Sequence, residues 1–267
     1  MKERENIPTL KFNKEPEYAD LWDALVYNML YDKDKYVKEI LNIFKKNGIT
    51  KKSKILDASA GTGFIALHLR KMGYNIECMD PMDDEIKVFK RKARKLGVST
   101  SIKKARWDDI PEVYKNKKFD FIFCRGNSFI YADGGWNKKQ RVSVKSSLKS
   151  YKNTLNIFYN QLIGGGYLYL DKFPDNEVPH KDVACYIKIG SKEKEELLFY
   201  TKKTPAKRYR EARAIRRKSD GSESSLPNMT FDLKEKEVES IMKKNGFGFE
   251  KLNLKSEKHF VVWLAKK

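Results

Sequence analysis

The run Ile55-Leu56-Asp57-Ala58-Ser59-Ala60-Gly61-Thr62-Gly63-Phe64 carries an apolar stretch straight into small residues and glycines, and an acid, Asp80, closes the next apolar stretch. Glycines at such a turn let a ligand approach the backbone at the N-terminus of the helix predicted by the pattern from Ile65 onward. Asp80 falls about 20 residues on, the interval at which a carboxylate reaches ribose hydroxyls in a strand-turn-helix-strand unit. Asp57 decides the ligand. In a dinucleotide site a pyrophosphate lies over this turn, and a carboxylate in a partly desolvated site would repel it. A nucleoside carrying positive charge is welcomed instead. S-adenosylmethionine (SAM), with its ammonium and sulfonium, fits that description.

The elements that hold these residues are read from periodicity and from glycine punctuation. Residues 16 to 47 read as helical and aromatic-rich, with a first helix around Tyr18, Leu21, Trp22, Leu25, Val26 and Met29 and a second from Tyr36 to Lys46. Strands are predicted at 54–56, 75–79, 100–105, 119–124 and 167–170. Between them lie helices at 62–71, 84–96 and 138–162. Strict alternation then stops. Residues 183 to 230 read as short antiparallel strands joined by polar turns, an insertion on the main sheet. A last helix is expected from a capping box at Asp232-Leu233-Lys234-Glu235, followed by a terminal hairpin of 247–254 and 259–265.

The chain of 267 residues accommodates one large α/β domain with an insertion. No stretch reaches the roughly 20 apolar residues of a membrane span, and the charged start Met1-Lys2-Glu3-Arg4-Glu5-Asn6 does not read as a signal peptide, so a cytoplasmic protein is expected. Cys78, Cys124 and Cys185 lie in apolar runs without metal-ligand spacing, and no metal is expected. The formal charge of +20 is mostly lysine spread along the chain. Arginine clusters only in the segment 202–218. There it reads either as an anion-binding strand or loop, or as a solvated edge strand charged against aggregation.

With these residues in place the chain resembles the class I SAM-dependent methyltransferases, whose seven-stranded sheet ends in an antiparallel hairpin of this kind. Within them it is similar to the glycine and sarcosine N-methyltransferase group. The resemblance rests on Asp57 to Gly63, on Arg106-Trp107, on Gly126-Asn127-Ser128-Phe129 after the fourth strand, and on the inserted strands. It implies a Rossmann-like α/β fold in three parts. These are a helical lid over 1–50, a SAM-binding domain over 51–182 and 230–267, and an antiparallel β subdomain for substrate over 183–229.

The resemblance further implies that Asp57 and the backbone at Ala58, Gly61 and Thr62 hold the methionine end of SAM. Asp80 would take the ribose, with Pro81, Met82, Arg106 and Trp107 about the adenine and the Arg125 backbone facing the ammonium. Asn127 and Tyr131 would face the acceptor, with Trp22, Tyr27, Lys172 and Arg210 binding it. Met82 and Trp107 could equally fill core, Asn127 could cap a turn, and the N-terminal aromatics could simply pack. One departure bears on the acceptor. In Asp171-Lys172-Phe173-Pro174 a phenylalanine stands where glycine methyltransferases carry an arginine, and lysine lacks that residue's planar fork.

The expected activity is methyl transfer to a small polar, anionic metabolite, with nitrogen as the first choice of acceptor and S-adenosylhomocysteine as the product. Alternatives are an oxygen acceptor on a phosphorylated or sugar-derived compound, or RNA modification driven by the basic face. Against the last, strand four lacks the Asn/Asp-Pro-Pro-Tyr type of run, and no Pro-Cys nucleophile occurs. The oligomeric state is left open.

Overall fold

The computed structural model describes residues 7–25, 31–133, 144–176, 181–204, 208–257 and 259–267. Strand β1 (Thr9–Phe12) precedes helices α1 (Tyr18–Leu25) and α2 (Lys33–Lys46). The central part runs β2 (Ile55–Asp57), α3 (Phe64–Lys71), β3 (Ile76–Asp80), α4 (Asp83–Lys95), β4 (Ile102–Lys104), α5 (Ile110–Val113), β5 (Phe119–Cys124), α6 (Val144–Gln161) and β6 (Leu162–Lys172). There follow β7 (Lys181–Ile189), β8 (Glu195–Thr204), β9 (Tyr209–Arg217), β10 (Glu223–Phe231), α7 (Glu235–Lys244), β11 (Gly248–Leu252) and β12 (Val261–Lys266). The predicted start of the long helix at Lys138, and Tyr27 with its neighbours Val26 and Met29, lie outside the described residues.

A seven-stranded sheet has the order β11-β12-β6-β5-β2-β3-β4. Its strands from β6 to β4 are mutually parallel, and β12 enters antiparallel between β6 and β11. This is the α/β sheet with a C-terminal antiparallel hairpin that the sequence predicts. Strand alternation divides the core. On β5, Phe121 and Phe123 face one cluster with residues of α2, α3 and α4, while Ile122 and Cys124 face another with residues of α6 and α7, joined by Phe119 across an irregularity between 119 and 121. These side chains are fully buried. Burying one phenylalanine contributes about 1.5–3 kcal/mol, which is why β5 reads as an apolar run interrupted only by Asp120.

A second sheet, of order β1-β7-β8-β9-β10, is built from the inserted strands and from the N-terminus. Strand β1 pairs parallel with β7, in register Thr9 with Tyr186, a pairing that the reading of 1–50 as helices did not foresee. The basic segment also lies differently from one expectation. Strand β9 sits between β8 and β10 and is therefore not an edge strand. Two of its arginines are met from within the fold: Arg216 by Glu195 at 2.7 Å and by Glu15, Arg217 by Glu196 and Glu223, each at 2.9 Å. Arg208, just before the strand, bonds Glu237.

The start of α7 is a second correction. The helix begins at Glu235 instead of being capped by Asp232, and Glu237 accepts the Lys234 backbone N–H at 2.9 Å. Asp175, in the turn just past β6, caps it from afar. Its carboxylate accepts the Glu235 N–H at 3.1 Å while Glu235 accepts the Asp175 N–H at 3.0 Å. Asp232 is engaged elsewhere, its N–H bonding the Arg208 carbonyl at 2.7 Å.

Gly63 begins α3 with φ at +88°, and a Cβ there would lie 2.7 Å from Phe89 Cδ2 and 2.8 Å from Leu67 Cγ, both in buried side chains. Gly63→Ala combines a left-handed backbone with overpacking. It should lower stability by about 2 kcal/mol, read as a lower urea midpoint; an unchanged midpoint would contradict this packing.

Candidate active site

The strand order reverses between β2 and β5, and in open α/β sheets the crevice for a ligand lies beyond the carboxyl ends of the strands at such a point. Here the two strand ends are stitched together. The Ala58 N–H bonds the Phe123 carbonyl at 2.9 Å, and the Arg125 N–H bonds Ser59 Oγ at 3.0 Å. Above them opens a cavity of about 250 Å³. It is lined by Asp80, Pro81 and Met82 at the end of β3, Arg106 and Trp107 after β4, Arg125 and Tyr131 after β5, Tyr31, and Tyr18 and Trp22 of α1. Ala58, Gly61 and Thr62 form its floor.

The lining at the ends of β3 and β4 is suited to a nucleoside. Asp80 is held by the Gly61 N–H at 3.0 Å and the Met82 N–H at 2.9 Å, which fixes its carboxylate at the lip of the cavity. Burial raises its pKa to about 6 against the lowering effect of those two bonds. Met82 is 40% exposed, so it borders the cavity instead of filling core. Trp107 does two things: its indole N–H donates to the Ala58 carbonyl at 2.6 Å, fixing the loop, while its ring lines the cavity.

Asp57 is placed differently from its expected partners. It is fully buried and does not line the cavity. Its Oδ2 faces Arg125 Nη2 at 3.7 Å, and its Oδ1 accepts the Ser59 N–H at 3.2 Å. Arg125 lies over the Phe64 ring, 5.1 Å from its centroid. On the next strand Asp171, also fully buried, accepts the Gly126 N–H at 2.8 Å and the Asn127 N–H at 2.6 Å. Burial raises the Asp171 pKa to about 6, opposed by those bonds and by Arg125. Nearby, Glu257 accepts from the Tyr169 hydroxyl at 2.6 Å, and burial together with Asp171 pushes its pKa well up.

The expected acceptor residues divide into two groups. Trp22 and Tyr131 line the main cavity. Asn127, Lys172 and Arg210 border a separate hollow of about 10 Å³, about the space of one water. Asn127 adopts a left-handed conformation, φ +60°, and its Oδ1 accepts the Phe173 N–H at 3.1 Å. Lys172 Nζ donates to the Phe173 carbonyl at 2.6 Å and to Asp175 at 3.0 Å. The Arg210 guanidinium lies 4.1 Å from the centroid of Phe173, the residue that stands where glycine methyltransferases carry an arginine.

Four lining acids, Asp23, Asp84, Glu85 and Asp108, escaped the sequence reading, and two of them bear on the site. Asp23 on α1 accepts from Lys92 at 2.8 Å and from the Thr62 hydroxyl, tying α1 to both α4 and the glycine loop. Two more ion pairs, Glu17 with Lys87 and Asp20 with Arg91, join the same helices. Glu85 on α4 is half-buried overall, but its Oε2 is fully buried without a hydrogen-bond partner, 3.6 Å from where a Cβ on Gly61 would lie. Burial, with Asp80 and Asp23 adding to it, lifts its pKa to about 8. The only sequence signal was an acid at a helical position whose neighbours, Ile86 and Phe89, are apolar.

A family model described as a methyltransferase domain matches residues 49–246. Over 158 residues the chain is 28% identical to a glycine/sarcosine N-methyltransferase of Halorhodospira halochloris, covering 58% of this chain and 51% of that protein. The chain spans about half the length of the curated relatives it matches. Among solved structures it is similar to a SAM-dependent methyltransferase from Clostridium acetobutylicum, with a TM-score of 0.68, 16% identity, and 93% and 97% of the two chains covered. It is also similar to the SAM-bound amino pentose methyltransferase CalS10 from Micromonospora echinaspora, with a TM-score of 0.64, 13% identity, and 94% and 98% covered. At these identities the two structures show a shared fold.

Glu85 generates a pH dependence. Between its ordinary pKa of 4.5 and about 8 the native state holds a proton that the unfolded chain has released, so stability falls as pH rises through that window. Glu85→Gln keeps the neutral shape and removes this slope. Its melting temperature should match wild type in acid and exceed it at the alkaline end; parallel curves would show that Glu85 ionises freely.

Proposed function

The chain belongs to the methyltransferase-domain family, and from that membership we propose that it transfers the methyl group of SAM to an amine nitrogen of a small, polar, anionic metabolite. One observation carries this reading. A single cavity joins a nucleoside-type wall at the end of β3 to an aromatic, guanidinium-bearing wall at the end of β5, about 10 Å away across two strand spacings. SAM supplies an activated methyl on its sulfonium and leaves as S-adenosylhomocysteine.

The chain's own residues have three tasks. Asp80 accepts the ribose hydroxyls, and Met82 and Trp107 flank the adenine. The glycine loop, fixed by Trp107, sets the height of the ligand above the sheet. Helix α1 serves as a lid: its ion pairs with α4 hold Tyr18 and Trp22 over the cavity, where they exclude water and offer ring faces to a cationic centre. In-line transfer to an amine that arrives deprotonated asks mainly for alignment and dryness, so the site needs no strong base. The glycine/sarcosine N-methyltransferases among the similar proteins support nitrogen as the acceptor.

The test incubates the protein with SAM and a panel of amines, amino acids, aminosugars and phosphorylated metabolites, following S-adenosylhomocysteine. Turnover with an amine is expected. Turnover confined to phosphorylated or hydroxyl compounds would move the acceptor to oxygen, and none with any compound would sink the reading. Asp80→Ala should weaken S-adenosylhomocysteine binding about tenfold or more by calorimetry, the scale of a lost charge-assisted hydrogen bond. Wild-type affinity would displace the ribose from Asp80.

A further inference from the structure

We propose that the Arg125 side chain receives the methionyl carboxylate of SAM, and that Asp57 acts through Arg125 as a positioning residue instead of touching the ligand. The inference rests on the cavity being the SAM site. Among the described residues that line it, Arg106 and Arg125 are the cations, and Arg106 is exposed while Arg125 is 5% exposed. The buried guanidinium is incompletely satisfied. Its Nε has no hydrogen-bond partner, and neither does Asp57 Oδ2, because the two groups meet at 3.7 Å, an ion pair without a hydrogen bond.

A guanidinium offers five N–H donors in a planar fork, and leaving them unmet in a buried site is costly. A ligand carboxylate satisfies two of them at once. A second donor stands beside it. The Tyr31 hydroxyl is buried without a partner and lies 3.9 Å from where a Cβ on Gly126 would be, on the same wall. The carboxylate in question is the donor's, because the Arg125 backbone bonds Ser59 of the glycine loop at 3.0 Å. With the adenine at Met82 and Trp107, the amino-acid end of SAM must cross that loop towards β5. Asp57 lies behind the guanidinium with no surface on the cavity, so its charge steadies Arg125 and limits the cost of burying it.

Calorimetry with two ligands tests this: S-adenosylhomocysteine, and its decarboxylated analogue S-adenosyl-3-thiopropylamine. Wild type should prefer the carboxylate-bearing ligand about tenfold or more, and Arg125→Met should erase that preference while leaving affinity for 5′-methylthioadenosine, which has no amino-acid end, near wild type. Arg125→Lys should keep part of the preference. Should Arg125→Met fail to fold because Asp57 is left unpaired, the double variant Asp57→Asn/Arg125→Met removes the stranded charge and is read the same way. No preference in wild type, or a preference surviving in Arg125→Met, overturns the proposal. The carboxylate is then bound elsewhere, or Arg125 serves an acceptor carboxylate instead. If 5′-methylthioadenosine binds none of the proteins, the SAM assignment of the cavity fails instead.

Discussion

Three neighbouring strands end in a row of charge on the same face of the sheet: Asp57 closing β2, Arg125 just past β5 and Asp171 near the end of β6. Each sits where alternation would otherwise place another apolar residue, beside Ile55, Phe123 and Tyr169 of one core cluster. Burying such charges is expensive, and mutual attraction offsets that cost only when the geometry is good and the remaining atoms are hydrogen-bonded. Asp171 meets the condition through two backbone N–H groups. In doing so it turns the chain after β5, holds Asn127 in its left-handed conformation and opens the crevice.

The parts of the site that were legible in the sequence are those built within one short stretch of chain. Gly61 and Gly63 lie within one turn, and Asp80 accepts the N–H of Met82 two residues on, whereas Trp107 reaches back to the Ala58 carbonyl and was legible only through the family resemblance. Asp57 was recognisable as an unusual acid, but its partner was not, because Arg125 comes 68 residues later and meets it only through strand pairing. Asp23 and Glu85 were invisible for a related reason. On a charged helix an acid facing solvent and one facing a cavity look alike until the opposing surface is known.

The same argument explains the second sheet. Its strands were readable from alternation, yet the placement of β1 was not, since Thr9–Phe12 is four residues long and owes its structure to the β7 edge it meets. The arginines of β9 show the limit of reading charge from composition. Within a cluster that suggests an anionic partner, Arg216 and Arg217 are answered by Glu195, Glu196, Glu223 and Glu15, which come from the neighbouring strands and a loop.

Strand β1 also has a mechanical meaning. Its ladder with β7, extended by the Tyr186 N–H to the Pro8 carbonyl and the Gly190 N–H to the Phe12 carbonyl, anchors the chain five residues before α1 begins. Trp22 in turn rests against Phe199 of β8, with ring centroids 6.2 Å apart. Helix α1 is thus moored to α4 by ion pairs on one side and to the second sheet by backbone and rings on the other. On the proposed reading of α1 as a lid, entry of one ligand and release of the other would share this one moving part, and a compulsory order of binding would follow in place of independent access.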